Sequence, residues 1–138
     1  MERTIGTAAK IEMETSVWIS QNGTPEKDSY AFDGKVYDTE EQILVRFFQE
    51  DINTSIKYKY KARVLTVTRK GDYETRMIFD TDKRTSCHYY TPQGEMTMDI
   101  VTSSISIADD NDNKTISLEY SLCTQDDILG RYEMIIRI

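Results

Sequence analysis

The segment that decides the fold runs from Ile52 to Lys61 and reads INTSIKYKYK. Its aliphatic, aromatic and threonine side chains occupy every second position, through Ile56 to Tyr60, and the positions between them are polar or cationic. Side chains alternate between the two faces of a β-strand, whereas a helical face repeats every 3.6 residues. The segment therefore predicts a strand that buries its tyrosine face and exposes its lysine face.

The same period of two continues along the rest of the chain. It is present in six further stretches, residues 11–19, 65–68, 73–79, 95–100, 116–122 and 132–138. Residues typical of turns lie between these stretches, at Asn22-Gly23, Asp33-Gly34, Gly71-Asp72, Pro92-Gln93-Gly94 and the polar run Asp109–Asn113. We expect an all-β fold of about eight to ten short antiparallel strands. Because several strands bury only one face, the sheet is expected to close into a single barrel.

Length and charge limit the classes of protein to consider. The 138 residues contain no linker-like stretch, so we expect one domain over residues 1–138, with residues 1–10 as a loosely ordered N-terminal segment. The net charge of −7 argues against nucleic-acid binding. No stretch approaches the roughly 20 apolar residues of a spanning helix, and no signal-peptide core is present. We therefore expect a cytoplasmic protein that does not bind membranes, with Cys87 and Cys123 as free thiols.

Residues for catalysis or metal binding are few. One His and two Cys cannot form a His cluster or a four-cysteine zinc site, and the run Asp109–Asn113 lacks the Gly and Glu that an EF-hand loop needs. We predict no metal site and no cofactor. His88 is the candidate for acid–base chemistry. On a strand the neighbouring Cys87 points to the opposite face from His88, so the two side chains cannot form a thiolate–imidazolium pair. We therefore predict no catalytic residue.

Arg69 follows Leu65 and Val67 at intervals of two, so the pattern places it on the inward face. A buried guanidinium requires a partner because its desolvation is costly. Two partners fit: an internal carboxylate such as Glu50, or the anionic end of a ligand inside the barrel. Both interpretations stay open at the level of sequence.

Several local motifs resemble the YwiB-like family, a set of small bacterial proteins of uncharacterised function. They are Gly34-Lys35-Val36-Tyr37, Glu50, Arg69-Lys70-Gly71, Met77-Ile78-Phe79, Tyr90-Thr91-Pro92-Gln93-Gly94 and Leu118-Glu119-Tyr120-Ser121-Leu122. The resemblance extends over roughly Val17 to Ile138. It implies a calycin-like barrel, the architecture of lipocalins and fatty-acid-binding proteins, and it implies no reaction or cofactor. The lipocalin Gly-x-Trp signature is replaced here by Ser16-Val17-Trp18.

Three hypotheses for the function fit these features of the sequence. The leading hypothesis is non-catalytic binding of a small apolar or amphipathic ligand inside the barrel, with Tyr58, Tyr60, Arg69, Tyr90 and Tyr120 as the binding residues. The first alternative is a protein-interaction or regulatory module with a solid core, which makes contact through an outward Trp18 or an exposed strand edge. The second is an enzyme that uses His88 and Arg69. The sequence leaves the oligomeric state open.

Overall fold

The computed structural model describes residues 3–19, 23–110 and 113–138, and within these ranges the chain forms strands and turns only. The described residues contain ten strands: β1 Arg3–Trp18, β2 Glu26–Asp38, β3 Gln42–Gln49, β4 Ile52–Lys59, β5 Val64–Lys70, β6 Glu74–Asp80, β7 Thr85–Thr91, β8 Gly94–Asp110, β9 Asn113–Cys123 and β10 Ile128–Arg137. The prediction of an all-β chain with eight to ten strands is confirmed. Across the same ranges no helix has the length and apolar character needed to cross a bilayer.

The ten strands form one closed antiparallel barrel. Each strand pairs with the next along the chain, and β1 pairs with β10 to close the ring. We call the end that carries the loops after β1, β3, β5, β7 and β9 the upper end. The opposite end, with the loops after β2, β4, β6 and β8, is the lower end. Opposite walls are five strands apart in either direction, as β4 is from β9 and β5 from β10.

The segment from Ile52 to Lys61 has the orientation predicted for it. Ile56 and Tyr58 are buried, whereas Lys59 is exposed. Equivalent positions on the other strands complete a continuous core. Its fully buried members are Ile11, Val36, Ile43, Val45, Leu65, Phe79, Cys87, Ile100, Ile116, Leu118 and Ile136. The lumen is thus filled with aliphatic and aromatic side chains through the middle of the barrel.

The predicted turn at Asp33-Gly34 is wrong, because both residues lie inside β2 and pair with β1 and β3. Gly34 is required there for packing. A methyl group at this position would overlap the carbonyl oxygen of Arg46 and the Cδ1 atom of Ile11. Glycine within a strand often marks such a close approach of neighbouring chains.

Two other predicted turns are confirmed. Gly71-Asp72 connects β5 to β6, and Pro92-Gln93 connects β7 to β8, where Gly94 has a φ of 121°. Asn22 of the predicted Asn22-Gly23 turn and positions 111–112 of the polar run lie outside the described residues.

The N-terminal segment takes part in the barrel. Residues 3–10 form the first half of β1 and pair with β2, as at Thr7 with Val36 and Lys10 with Asp33. Ala9 packs against the core. Backbone pairing and this apolar contact attach residues 3–10 to the sheet.

Candidate functional site

Three polar side chains meet inside the lower end of the barrel. The Tyr60 hydroxyl donates to Oδ1 of Asp38 at 2.8 Å, and Nζ of Lys114 donates to the Tyr60 oxygen at 2.9 Å. Lys114 also forms an ion pair with Asp38, with 2.6 Å between Nζ and Oδ2. Tyr60 follows β4 and Lys114 is the second residue of β9, so this contact joins opposite walls. The Asp38–Tyr60–Lys114 cluster therefore closes the lower end of the lumen.

Burial and hydrogen bonding change the proton affinities of two members of this cluster. Burial raises the pKa of Tyr60, and the nearby Asp38 adds to the increase while Lys114 opposes it. Burial alone would lower the pKa of Lys114, but hydrogen bonds to Asp38 and Tyr60 outweigh it and raise that pKa. Both groups therefore keep their protons more firmly in the folded protein than in the unfolded chain.

These shifts predict a loss of stability in alkaline solution. A group whose pKa is higher in the folded protein than in the unfolded chain adds to the free energy of unfolding. This contribution is complete below the unfolded-state pKa and is lost as the pH rises through the folded-state pKa. For Tyr60 and Lys114 the free energy of unfolding should therefore fall as the pH rises above about 10. Urea denaturation between pH 8 and pH 11.5 measures how the free energy of unfolding depends on pH. The Tyr60→Phe variant should show a shallower fall, and equal slopes for the two proteins would contradict the assignment.

Inward-facing side chains at the upper end remain partly exposed, unlike those in the middle of the barrel. Tyr30 is 43% exposed, and Phe32, Met77 and Met98 are half-buried against the core. Tyr30 and Phe32 stack with their ring centroids 6.1 Å apart, and Phe32 stacks on buried Phe47 at 4.3 Å. The upper end thus has an aromatic and thioether lining that is in contact with solvent.

A second aromatic stack descends the wall formed by β9 and β10. Tyr132 is half-buried and lies parallel to Tyr120, with 5.0 Å between ring centroids. Below them the Tyr120 ring packs on fully buried Phe79 of β6 at 4.7 Å. This contact joins β6 to β9, three strands apart, and forms a floor beneath part of the upper end.

The structure corrects the environment predicted for Arg69. Arg69 shares a strand face with Leu65 and Val67, but it is exposed, so the prediction of a buried guanidinium is wrong. It is the second-last residue of β5, where the strand has left the core and reaches the rim of the upper end. The suggested internal partner Glu50 is also exposed, in the loop after β3 with a φ of 55°. Among the described residues no ion pair joins Glu50 to Arg69.

The five predicted binding residues do not form one site. Tyr58 and Tyr60 lie toward the lower end, with an edge-to-face contact of 5.8 Å. Arg69 and Tyr120 belong to the upper end, at its rim and its inner wall. Tyr90 is 48% exposed and lines a groove on the outside of the barrel. Of the five, only Arg69 and Tyr120 share the upper end of the barrel.

The outer groove lies between β6 and β7 and has a volume of about 350 Å³. It is lined by Glu74, Arg76, Ile78, Ser86, His88 and Tyr90. His88 is exposed, and its Nδ1 lies 2.5 Å from Oε1 of Glu95. Cys87 points to the opposite, buried face, as predicted. His88 and Arg69 lie on opposite faces of the sheet, so the pair proposed for an enzyme does not converge.

Trp18 lies on the outer face of β1 and is partly covered. The Arg131 guanidinium lies 4.4 Å above the centroid of its ring, in a cation–π contact between β1 and β10.

On the described part of the chain, no group of three or more His, Cys, Asp or Glu is arranged to hold a metal ion.

Sequence reasoning missed the two charged members of the lower cluster. Asp38 follows Val36 by two positions, and Lys114 precedes Ile116 by two, so both continue the inward face of their strands. This period-two pattern is the signal in the sequence that could have indicated an internal pair of opposite charges. Their contact could not be read from it, because β2 and β9 are far apart in sequence.

Comparison with known proteins agrees with this architecture. A protein-family profile described as a domain of unknown function, DUF1934, matches residues 11–136. The crystal structure of the ywiB protein from Bacillus subtilis superimposes with a TM-score of 0.73 at 20% sequence identity, covering 94% of this chain and 90% of that one. A search of curated proteins found no match. At 20% identity the ywiB structure establishes the fold alone. The family profile spans nearly the whole chain. The protein therefore belongs to the DUF1934 family.

Proposed function

We propose that this protein binds a small amphipathic anion through the upper end of the barrel and performs no reaction on it. The observation that carries the proposal is the contrast between the two ends. The lower end is closed by the Asp38–Tyr60–Lys114 cluster, whereas the upper end presents inward-facing apolar rings with an arginine at the rim.

The packing limits how deeply such a ligand would enter. Phe79 and Leu65 are fully buried in the middle of the lumen, and Phe79 contacts Tyr120 of β9. A ligand would therefore occupy only the upper part, above this floor. Tyr30, Phe32 and Tyr132 offer it apolar surface from two different walls, and flexible Met77 and Met98 can adapt to its shape.

Arg69 supplies the charge selectivity in this proposal. Its guanidinium lies at the rim, on the same strand face as the core residues Leu65 and Val67. An arginine can bind a carboxylate, sulfonate or phosphate oxygen through paired N–H donors. At a solvent-accessible rim it would hold the ligand's head group while the apolar chain lies against the rings. The resemblance to calycin-type barrels, which hold ligands in their lumen, supports the same arrangement by analogy.

The prediction for Arg69 uses decanoate and its uncharged counterpart decanol as probes. The substitution Arg69→Gln should weaken decanoate binding about tenfold, because a charge-assisted hydrogen bond contributes roughly 1.5 kcal/mol or more. Decanol binding should be unchanged. Isothermal titration calorimetry measures both dissociation constants.

Arg76→Gln is the matched control, since it removes the same charge from the outer face. It should leave decanoate binding unchanged apart from a small long-range effect. Equal losses for both variants would show a nonspecific charge effect. Failure of the unmodified protein to bind either probe would reject this function.

A cytoplasmic location is part of the same proposal. Neither Cys87 nor Cys123 forms a disulfide and both are buried, a state compatible with a reducing compartment. Fractionation of cells that express the full chain tests the location, and recovery outside the cytoplasm would contradict it.

A further inference from the structure

A hydroxyl without a hydrogen-bond partner lies inside the barrel next to the upper aromatic stack. Thr102 of β8 is 6% exposed, and its Oγ1 atom has no hydrogen-bond partner among the described residues. In the strand register Thr102 stands opposite Tyr120. Nearly all buried hydroxyls in folded proteins are paired, so an unpaired one in the lumen calls for a specific explanation.

An irregularity in β8 supports a functional explanation. Thr102 pairs with Tyr120 and Ser104 pairs with Glu119, so Ser103 is an extra residue that forms a bulge. Bulges occur beside binding sites, where they redirect a side chain relative to the regular sheet. The unpaired hydroxyl and the bulge are independent features at one position.

The neighbouring rings fix the depth of this hydroxyl. Tyr120, its cross-strand partner, lies between half-buried Tyr132 and fully buried Phe79. Thr102 is therefore one layer below the half-buried rings that line the upper end. Arg69 stands at the rim on β5, three strands away, and the strand register places it about six residues above Thr102, so the two residues are roughly 24 Å apart along the wall.

We infer that the ligand carries a second polar group, remote from its anionic head, that pairs with the Thr102 hydroxyl. This inference rests on the proposed function and specifies its ligand class: an anionic amphiphile with a distal hydroxyl or carbonyl group. The head is held at Arg69 and the distal group reaches the floor. The Thr102 oxygen is enclosed by its neighbours, so entry requires a shift of the half-buried Tyr132 ring.

The test compares simple carboxylic acids with their ω-hydroxy derivatives at chain lengths of eight, ten and twelve carbons. Calorimetry on the full chain should give, for at least one length, a dissociation constant about fivefold or more lower for the hydroxy acid. In the Thr102→Val variant this preference should disappear while affinity for the simple acid is retained. Thr102→Ser keeps a hydroxyl and should restore the preference.

Thr54→Val is the matched control, because Thr54 is another buried, inward-facing threonine of the upper half. It should leave the preference for the hydroxy acid intact. Thermal denaturation verifies that every variant is folded, and valine at position 102 is expected to be as stable as threonine because it removes an unpaired hydroxyl at constant shape.

The outcomes separate the two proposals. Arg69-dependent binding of simple acids without any preference for hydroxy acids would overturn the assignment of Thr102 alone. A preference that survives Thr102→Val would overturn it as well. Absence of binding for every acid would reject both the proposed function and this inference.

Discussion

Replacing Gly34 with alanine is expected to lower the free energy of unfolding by about 3 kcal/mol, the upper part of the range for overpacked interiors. The added methyl group would overlap the backbone carbonyl oxygen of Arg46 and the side chain of Ile11. The Ile11 side chain could rotate, but the carbonyl belongs to the paired strand β3 and cannot move without loss of register. Urea denaturation monitored by tyrosine fluorescence measures the change.

Gly71→Ala is the matched control for this substitution. At Gly71 a methyl group would meet Cγ1 of Ile52 at 3.4 Å and the Asp51 carbonyl oxygen at 3.6 Å, which are ordinary contact distances. We expect a change within about 0.5 kcal/mol, typical of surface positions. If both variants lost the same stability, the effect would come from the removal of glycine in general and not from crowding in β2.

The second large effect is expected in the lower cluster. Removing one partner of a buried ion pair costs about 3–5 kcal/mol, because the other charge stays buried and unpaired. The side chains of Lys114 and Asp38 are 22% and 12% exposed, so Lys114→Met should cost about 3 kcal/mol, at the lower limit of that range. Asp38→Asn should cost less, since the Lys114 amine can still reach the Tyr60 oxygen.

The double variant decides whether the loss arises from the unpaired charge. In Asp38→Asn/Lys114→Met neither charge remains, so the loss should be smaller than the sum of the single losses, with a coupling of about 1 kcal/mol or more. Chemical denaturation at pH 7 gives all four free energies. Additive losses would show that the two side chains contribute independently, which would contradict the assignment of the loss to an unpaired charge.

The periodicity of the sequence predicted which face of a strand is buried, but not how far along the barrel each residue lies. Tyr58 and Arg69 illustrate the difference. Both continue an inward row, yet Tyr58 lies in the core and Arg69 at the rim. Period two is a property of one strand, whereas depth depends on the tilt and stagger of all ten strands.

Gly34 shows a second limit of local signals. Asp-Gly is a strong turn signal because glycine adopts left-handed backbone conformations at no steric cost. At position 34 the glycine serves a different purpose, the close approach of β1 and β3 to β2. That requirement involves Ile11 and Arg46, each more than ten residues away, and cannot be detected from the dipeptide. The Lys114–Asp38 contact was inaccessible for the same reason.

The pairing of β1 with β10 also determines when the protein can fold during synthesis. Strand β1 needs two neighbours, and one of them is the last strand of the barrel to leave the ribosome. Until then the nascent chain presents an open sheet with two unprotected edges, a state prone to strand exchange with other chains. Ring closure links residues more than a hundred positions apart, so we expect slow folding in which the cooperative step comes late.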